Sequence, residues 1–141
     1  MYDKRMLGLD DADRIVDAII ARSKKEKGPP LSIAVVDYRG DLIKFVRMDG
    51  ASINTLRMAQ TKAYSAAKLR HDTSTIAAWT EKLGAQLSDW VDPDVTAIGG
   101  GVCVRDQKAS PPAVVGAVGV SGFPQAEVDE EYARLGVEAI G

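Results

Sequence analysis

"LSIAVVDYRGDLIKFVRM", residues 31–48, is the stretch of sequence that decides the fold. Residues 31–37 are rich in β-branched side chains, which predicts a buried strand. Tyr38-Arg39-Gly40-Asp41 predicts a tight turn, because Gly40 adopts a positive φ without steric cost. Residues 42–48 then return as the second arm of a β-hairpin. The stretch therefore indicates an antiparallel sheet at this point of the chain.

Working outward, apolar side chains recur every three or four residues at 9–27 and 54–69, which predicts helices there. A third helix is expected at about 75–87, and a last one opens at Pro124. Strands are predicted at 102–105 and 113–120. The order α-β-β-α-α-β-β-α, with hairpin-length links between strands, favours one α+β domain over residues 1–141. In such a domain, helices pack on an antiparallel sheet.

The composition excludes several functional classes. The 141 residues carry 18 Lys+Arg and 20 Asp+Glu, a formal charge of −2. Binding to nucleic acid or to an anionic membrane needs a basic surplus, so neither is expected. No apolar run approaches the roughly 20 residues that span a bilayer, and no apolar segment follows the charged N-terminus. A single cysteine excludes an internal disulfide and a multi-thiolate metal site. We therefore expect a reduced, cytoplasmic protein.

Several blocks together resemble one known family. They are Ser32–Asp37 with Gly40 and Leu42, Arg47–Ala51, Lys62–Ala67, Gly99–Gly101 with the strand after it, Val115–Gly122, and Asp129-Glu130 with Ala133. In this order and spacing they are similar to the GlcG/HbpS family of haem-degrading domains, which is related to the C-terminal part of PduO proteins. The resemblance covers roughly residues 7–141.

The resemblance implies a five-stranded antiparallel sheet flanked by helices, somewhat like profilin. The fifth strand would lie near Val95–Ile98. It also implies dimers or larger homo-oligomers. Some members bind haem or corrinoid-related ligands, so haem is the candidate cofactor. Others belong to catabolic pathways for small organic acids, diols or aromatic compounds. Fold transfers between such relatives better than chemistry does.

Arg47-Met48-Asp49-Gly50 is the first candidate ligand site, because it links a strand end to a helix. An arginine there offers a fork of donors suited to a carboxylate, such as a haem propionate or a small organic acid. Gly50 would let a ligand approach the backbone closely. The alternative is that Arg47 and Asp49 pair with each other and only fix the loop.

Lys62 and Tyr64 are the second candidates, since they lie on a helix with many small residues. A partly buried lysine could anchor an anion or, with a lowered pKa, act as a base. The alternative is a lysine that extends its ammonium from an oligomer interface.

Glycines mark a third region. Gly99-Gly100-Gly101 lacks the Lys-Ser/Thr of a P-loop, and the glycines at 116, 119 and 122 do not match a dinucleotide fingerprint. They predict strands that are pressed closely by a helix, a subunit or a ligand, with Gly100 and Gly101 as ligand contacts. Ser121 and Gly122 could present backbone N–H groups to an anion, or could form a plain turn.

Acidic residues crowd the start of the last helix. Glu127 and Glu131 are four residues apart and could do acid–base work if buried, or could simply complement the helix dipole. No metal site is predicted. His71 is the only histidine, and the sequence contains no Ser/His/Asp arrangement that it could complete, so a triad hydrolase is not expected. Met48 and Cys103 are possible soft ligands for haem iron, but no C-x-x-C-H signature marks one.

Three functions follow from these residues. The first is a haem- or small-ligand-binding accessory protein that holds an acidic ligand. The second is a small catabolic enzyme, a tautomerase, hydratase-like enzyme or hydrolase, in which Arg47 orients a carboxylate and Lys62 or Glu127 transfers the proton. The third is a structural homo-oligomeric interaction module.

Overall fold

The computed structural model describes residues 1–141 and contains four helices and four strands. The elements are α1 (Leu9–Glu26), β1 (Ser32–Asp37), β2 (Leu42–Arg47), α2 (Ile53–Leu69), α3 (Thr73–Lys82), a 3₁₀ turn (Leu87–Trp90), β3 (Gly101–Asp106), β4 (Ala113–Ser121) and α4 (Ala126–Glu138). The predicted element order is therefore confirmed. No helix combines the length and the hydropathy needed to span a bilayer.

The four strands form one antiparallel sheet in the order β2-β1-β4-β3. β1 and β4 are central, with Val35 opposite Val118, and each is joined in a hairpin to its own edge strand. The expected fifth strand at Val95–Ile98 is absent. Thr96 N–H instead donates to Ser65 Oγ (2.8 Å) and Ile98 N–H to Thr96 Oγ1 (3.2 Å), while Val95 N–H donates to the carbonyl of Asp92 (3.2 Å). The segment is therefore anchored on α2 rather than on the sheet.

Each face of the sheet has its own apolar core. α1 and α4 cover one face with large side chains, among them Ile15, Ile19 and Tyr132 against Ile33 and Val118. The opposite face is covered by α2 with small side chains. This second core consists of Ala34, Val36, Ala59, Ala63, Ala66, Ala67, Cys103, Val114 and Ala117.

Small residues bring α2 very close to β4. A Cβ added at Gly119 would lie 2.0 Å from the carbonyl oxygen of Ala59, so only glycine fits beneath the helix there. α2 thus lies over the central strands, and the same face of β2 stays partly open beside it. Leu42 of β2 is 51% exposed and Phe45 is half-buried.

The third helix is shorter than predicted. The expected helix at about 75–87 begins at Thr73 and ends at Lys82. Gly84, with a φ of +70°, turns the chain away, and its N–H bonds back to the carbonyl of Glu81 (2.9 Å). A positive φ is readily adopted by glycine and ends a helix.

Candidate functional site

The sequence-predicted site residues fall in three separate places. Lys62, the paired glycines Gly100-Gly101 and the Ser121-Gly122 turn meet inside the protein. Tyr64 lies on another side of α2 and lines a surface cleft. Arg47, at the end of β2, and Glu127, in the first turn of α4, are exposed. These candidate residues therefore do not line one common pocket.

Lys62 and Asp129 form a buried ion pair. Lys62 Nζ donates to Asp129 Oδ2 and to the carbonyl of Val120, both at 3.0 Å. The side chains of Lys62 and Asp129 are only 2% and 3% exposed. Burial raises the pKa of the Asp129 carboxyl, while a hydrogen bond from the Phe123 amide and the Lys62 charge act in the opposite direction. The pair joins α2, β4 and α4.

The glycines around this pair leave the space that the Lys62 side chain and backbone occupy. A Cβ at Gly100 would lie 2.8 Å from Lys62 Nζ, and one at Gly101 would lie 2.3 Å from the Lys62 carbonyl oxygen. After Ser121 and Gly122, the amide of Phe123 donates to Asp129 Oδ1 (3.0 Å). The Asp129 carboxylate of the chain itself therefore accepts a hydrogen bond beside the Ser121-Gly122 turn, where an anionic ligand was predicted.

The loop after β2 is open to solvent. Asp49 and Gly50 are exposed, as is Arg47, the last residue of β2, which forms no ion pair or side-chain hydrogen bond. The alternative Arg47–Asp49 pair is not formed. Glu127 and Glu131 are likewise exposed, so they do not make a buried carboxylate pair. The catalytic roles of Lys62 and Glu127 stay predictions, and the structure does not bring these two residues to the cleft that Tyr64 lines.

That cleft, of about 510 Å³, opens between the β1–β2 hairpin and the exposed side of α2. We call it the α2–hairpin cleft. Four of its nine lining residues are hydrophobic. The nine lining residues are Val36, Gly40, Leu42, Leu56, Arg57, Gln60, Thr61, Tyr64 and Asp94.

Arg57 is the functional candidate that the sequence analysis missed. It is exposed, lines the α2–hairpin cleft, and takes part in no ion pair or side-chain hydrogen bond. Its guanidinium is therefore free to bind a carboxylate through two parallel, bidentate hydrogen bonds. The signal that could have revealed it is helical spacing, because Arg57, Thr61 and Tyr64 recur at i, i+4 and i+7 on one face.

Tyr64 forms one end of the cleft and is held firmly. Its ring lies against Gly40, where a Cβ would be 2.6 Å from Cδ2. Its hydroxyl donates to Asp92 Oδ2 at 2.5 Å, and Lys68 also bonds to that carboxylate. The hydrogen bond to Asp92 raises the pKa of Tyr64, and the pKa of Asp92 falls to about 2. Tyr64 is thus a neutral phenol with a fixed orientation.

A second cleft, of about 620 Å³, runs along the edge strand β3. Its three arginines are already engaged. Arg5 pairs with Asp106 (2.7 Å), Arg134 pairs with Asp72 (3.2 Å), and Arg105 donates to a carbonyl at the end of α2 (2.9 Å). Lys108 also lines this cleft, but four carboxylates do too: Asp11, Asp72, Asp106 and Glu138. The α2–hairpin cleft has one carboxylate and an unpaired arginine, so it is the better anion site.

The candidate iron ligands of the sequence analysis lie outside the α2–hairpin cleft. His71 Nδ1 donates to the carbonyl of Leu69 (2.8 Å), and its ring stacks on Trp79 with centroids 3.9 Å apart. The Cys103 thiol is buried and donates to the carbonyl of Ala66 (3.2 Å). Burial raises the pKa of this thiol to about 12. Met48 packs against the core beneath α1 and α4.

Known structures share this fold over nearly the whole chain. A double mutant of Streptomyces reticuli HbpS is 28% identical, with a TM-score of 0.85 over 100% of this chain and 91% of that one. Klebsiella pneumoniae protein ORFY is 25% identical, with a TM-score of 0.85 and coverages of 99% and 93%. A PduOC complex with haem is 23% identical, with a TM-score of 0.81 and 96% of each chain covered. No relative matches among curated protein sequences.

The family assignment agrees with the motif blocks and with the fold. The model of the family described as "Haem degrading protein HbpS-like" matches residues 7–138. This range contains all four strands and all four helices, together with the α2–hairpin cleft and the Lys62–Asp129 pair. The chain belongs to the HbpS-like family.

Proposed function

We propose that this protein is a ligand-binding accessory protein whose ligand is acidic and partly apolar, and that haem is the ligand class to test first. The observation that carries the proposal is the unpaired Arg57 guanidinium in the α2–hairpin cleft. Family membership supports the haem-related part of the proposal.

The cleft has the size and chemistry of a small-molecule site. Its volume of about 510 Å³ lies within the range of about 300–1,000 Å³ typical of ligand pockets. Val36, Leu42 and Leu56 offer apolar contact, and Arg57 offers a charged fork at the same cleft. This combination suits a molecule with an apolar body and a carboxylate end.

Arg47 would supply a second cation near the start of α2. It is paired in register with Ser32, whose hydroxyl lies 2.9 Å from that of Thr55 near the start of α2. Arg47 therefore sits beside the helix start on the edge strand that borders the cleft. A ligand with two carboxylates, as haem has, would suit two such arginines.

The test is a titration of the purified protein with haem, followed by the Soret band. We expect saturation at a defined stoichiometry, and Arg57→Gln should weaken binding by about tenfold or more, as expected for loss of a charge-assisted hydrogen bond. Arg14→Gln removes the same charge from an exposed position on α1 and should change nothing. A linear, unsaturable response that is identical in all three proteins would refute the proposal.

A catabolic enzyme acting on a carboxylated intermediate is the second candidate. It is favoured by one observation, the presence of the Asp94 carboxylate in the same cleft as Arg57. Asp94 could move a proton while Arg57 orients the substrate. The assay is tautomerisation of the enol form of an α-keto acid, followed by its ultraviolet absorbance. Turnover that is lost in Asp94→Asn but kept in Asp17→Asn, a matched change at an exposed position on α1, would support this candidate.

Self-association and a cytoplasmic location complete the proposal. Several large apolar side chains are exposed, among them Ile53 (86%), Leu83 (60%) and Val91 (87%). A second copy of the chain could cover some of these side chains, in line with the homo-oligomers that the family resemblance implies. Native mass spectrometry should detect a dimer or larger assembly, and a strict monomer at micromolar concentration would contradict it. Cell fractionation tests the location.

A further inference from the structure

The α2–hairpin cleft lacks a side chain that is ready to bind haem iron. Protein ligands to haem iron are histidine, cysteine, methionine or tyrosine. Among the nine residues that line the cleft, Tyr64 is the only one of these types. The question of iron binding at this cleft therefore depends on Tyr64.

Tyr64 is poorly placed to serve as that ligand. Iron binds the deprotonated phenolate, but the Tyr64 hydroxyl donates its proton to Asp92 Oδ2. The same carboxylate also accepts from Lys68, so the hydroxyl points into an existing network rather than into the cleft. Its pKa is raised by the bond to Asp92, which opposes deprotonation further.

The polar groups of the cleft favour a different kind of ligand. Gln60 Nε2 donates to the Leu56 carbonyl (3.1 Å), which leaves its amide oxygen as a free acceptor. The Thr61 hydroxyl donates to the Met58 carbonyl (3.2 Å), so its oxygen can only accept a further bond. Asp94 adds a carboxylate. The cleft thus offers one cationic donor, Arg57, and several acceptors, which a ligand hydroxyl would satisfy.

We infer that the α2–hairpin cleft binds a small metal-free hydroxy-carboxylate, held by its carboxylate on Arg57 and by its hydroxyl on Gln60, Thr61 or Asp94, and that the protein provides no iron ligand there. This inference rests on the proposed ligand-binding function and narrows its ligand class. Apolar contact with Val36, Leu42 and Leu56 favours a ligand with an aromatic or aliphatic body.

The experiment compares four probes by calorimetry and absorbance: 4-hydroxybenzoate, benzoate, haem and iron-free protoporphyrin IX. The two benzoates differ only in the hydroxyl, and the two porphyrins share their propionates but differ in iron. We expect 4-hydroxybenzoate to bind at least about fivefold more tightly than benzoate, with a loss of about tenfold or more in Arg57→Gln. Haem and protoporphyrin IX should bind with affinities that agree within about threefold, because no side chain of the cleft is placed to bind the iron.

The outcomes separate this inference from the proposed function. Equal affinities for the two benzoates would overturn the hydroxy-carboxylate assignment. Haem binding at least about tenfold tighter than protoporphyrin IX, with a spectrum that changes in Tyr64→Phe, would overturn the inference and leave the ligand-binding function intact. If no probe binds in an Arg57-dependent way, the proposed function fails together with the inference. Arg14→Gln is the control throughout.

Discussion

Replacing Lys62 by methionine should lower the free energy of unfolding by more than any substitution at the exposed surface of α2. Methionine keeps the length and the apolar stem of lysine but removes both hydrogen bonds of the ammonium, to Asp129 Oδ2 and to the Val120 carbonyl. It leaves the Asp129 carboxylate, 3% exposed, with only backbone partners. Breaking a buried pair from one side costs about 3–5 kcal/mol. For a domain of this size, that loss lowers the melting temperature by roughly 10–15 °C.

The assay is urea denaturation followed by far-ultraviolet circular dichroism, with the double variant Lys62→Met/Asp129→Asn beside the single one. The neutral amide removes the buried charge but still accepts from the Phe123 amide, so the double variant should recover about half of the loss. Arg57→Met, at an exposed and unpaired cation on the same helix, is the matched control and should cost under about 1 kcal/mol. A Lys62→Met protein within about 1 kcal/mol of the parent would refute the buried-pair reasoning.

Three further outcomes follow from close packing and from pKa shifts. Gly119→Ala places a Cβ 2.0 Å from the Ala59 carbonyl oxygen and should lower the free energy of unfolding, measured by denaturation, by about 3 kcal/mol or more. In Gly99→Ala the new Cβ is 3.5 Å from its nearest atom, an ordinary contact distance, so the loss should be far smaller. The pKa of Asp92 is lowered from 3.8 to about 2, so its stabilising contribution is present above 3.8 and is lost as the pH falls towards 2; Asp92→Asn should flatten that acid loss in pH-dependent melting. Cys103, whose thiol pKa is raised to about 12, should react with maleimide more than about a hundredfold more slowly in the native protein than in urea, and equal rates would contradict its burial.

The sequence predicted the fold well because its signals were local and repeated. The β-branched run at 31–37, the Gly40 turn and the helical stripes each specify an element without reference to the rest of the chain. The fifth strand was wrong because it came from the resemblance alone. The Thr96 and Ile98 amides donate to side-chain oxygens instead of to a neighbouring strand, and no local sequence pattern predicts these bonds.

The candidate site was harder to predict because helical residues were grouped by type rather than by face. Lys62 and Tyr64 are two residues apart, and side chains at that spacing do not face the same direction on a helix. Lys62 points beneath α2 to Asp129, whereas Tyr64 points out to the hairpin. Arg57 shares the face of Tyr64 and was overlooked because no neighbouring motif drew attention to it.

The close packing of α2 is also what creates the cleft. Because Gly119 lets the helix backbone touch β4, α2 is centred over the middle of the sheet and β2 extends beyond its edge. The uncovered hairpin side chains then form one wall of the cleft, and the outward face of α2, which carries Arg57, forms the other. A Cβ at Gly119 must push α2 away from β4, which moves Arg57 relative to Leu42. Gly119→Ala should therefore weaken binding at the cleft even at temperatures where the variant is fully folded, although residue 119 lies on the opposite side of the helix from any ligand.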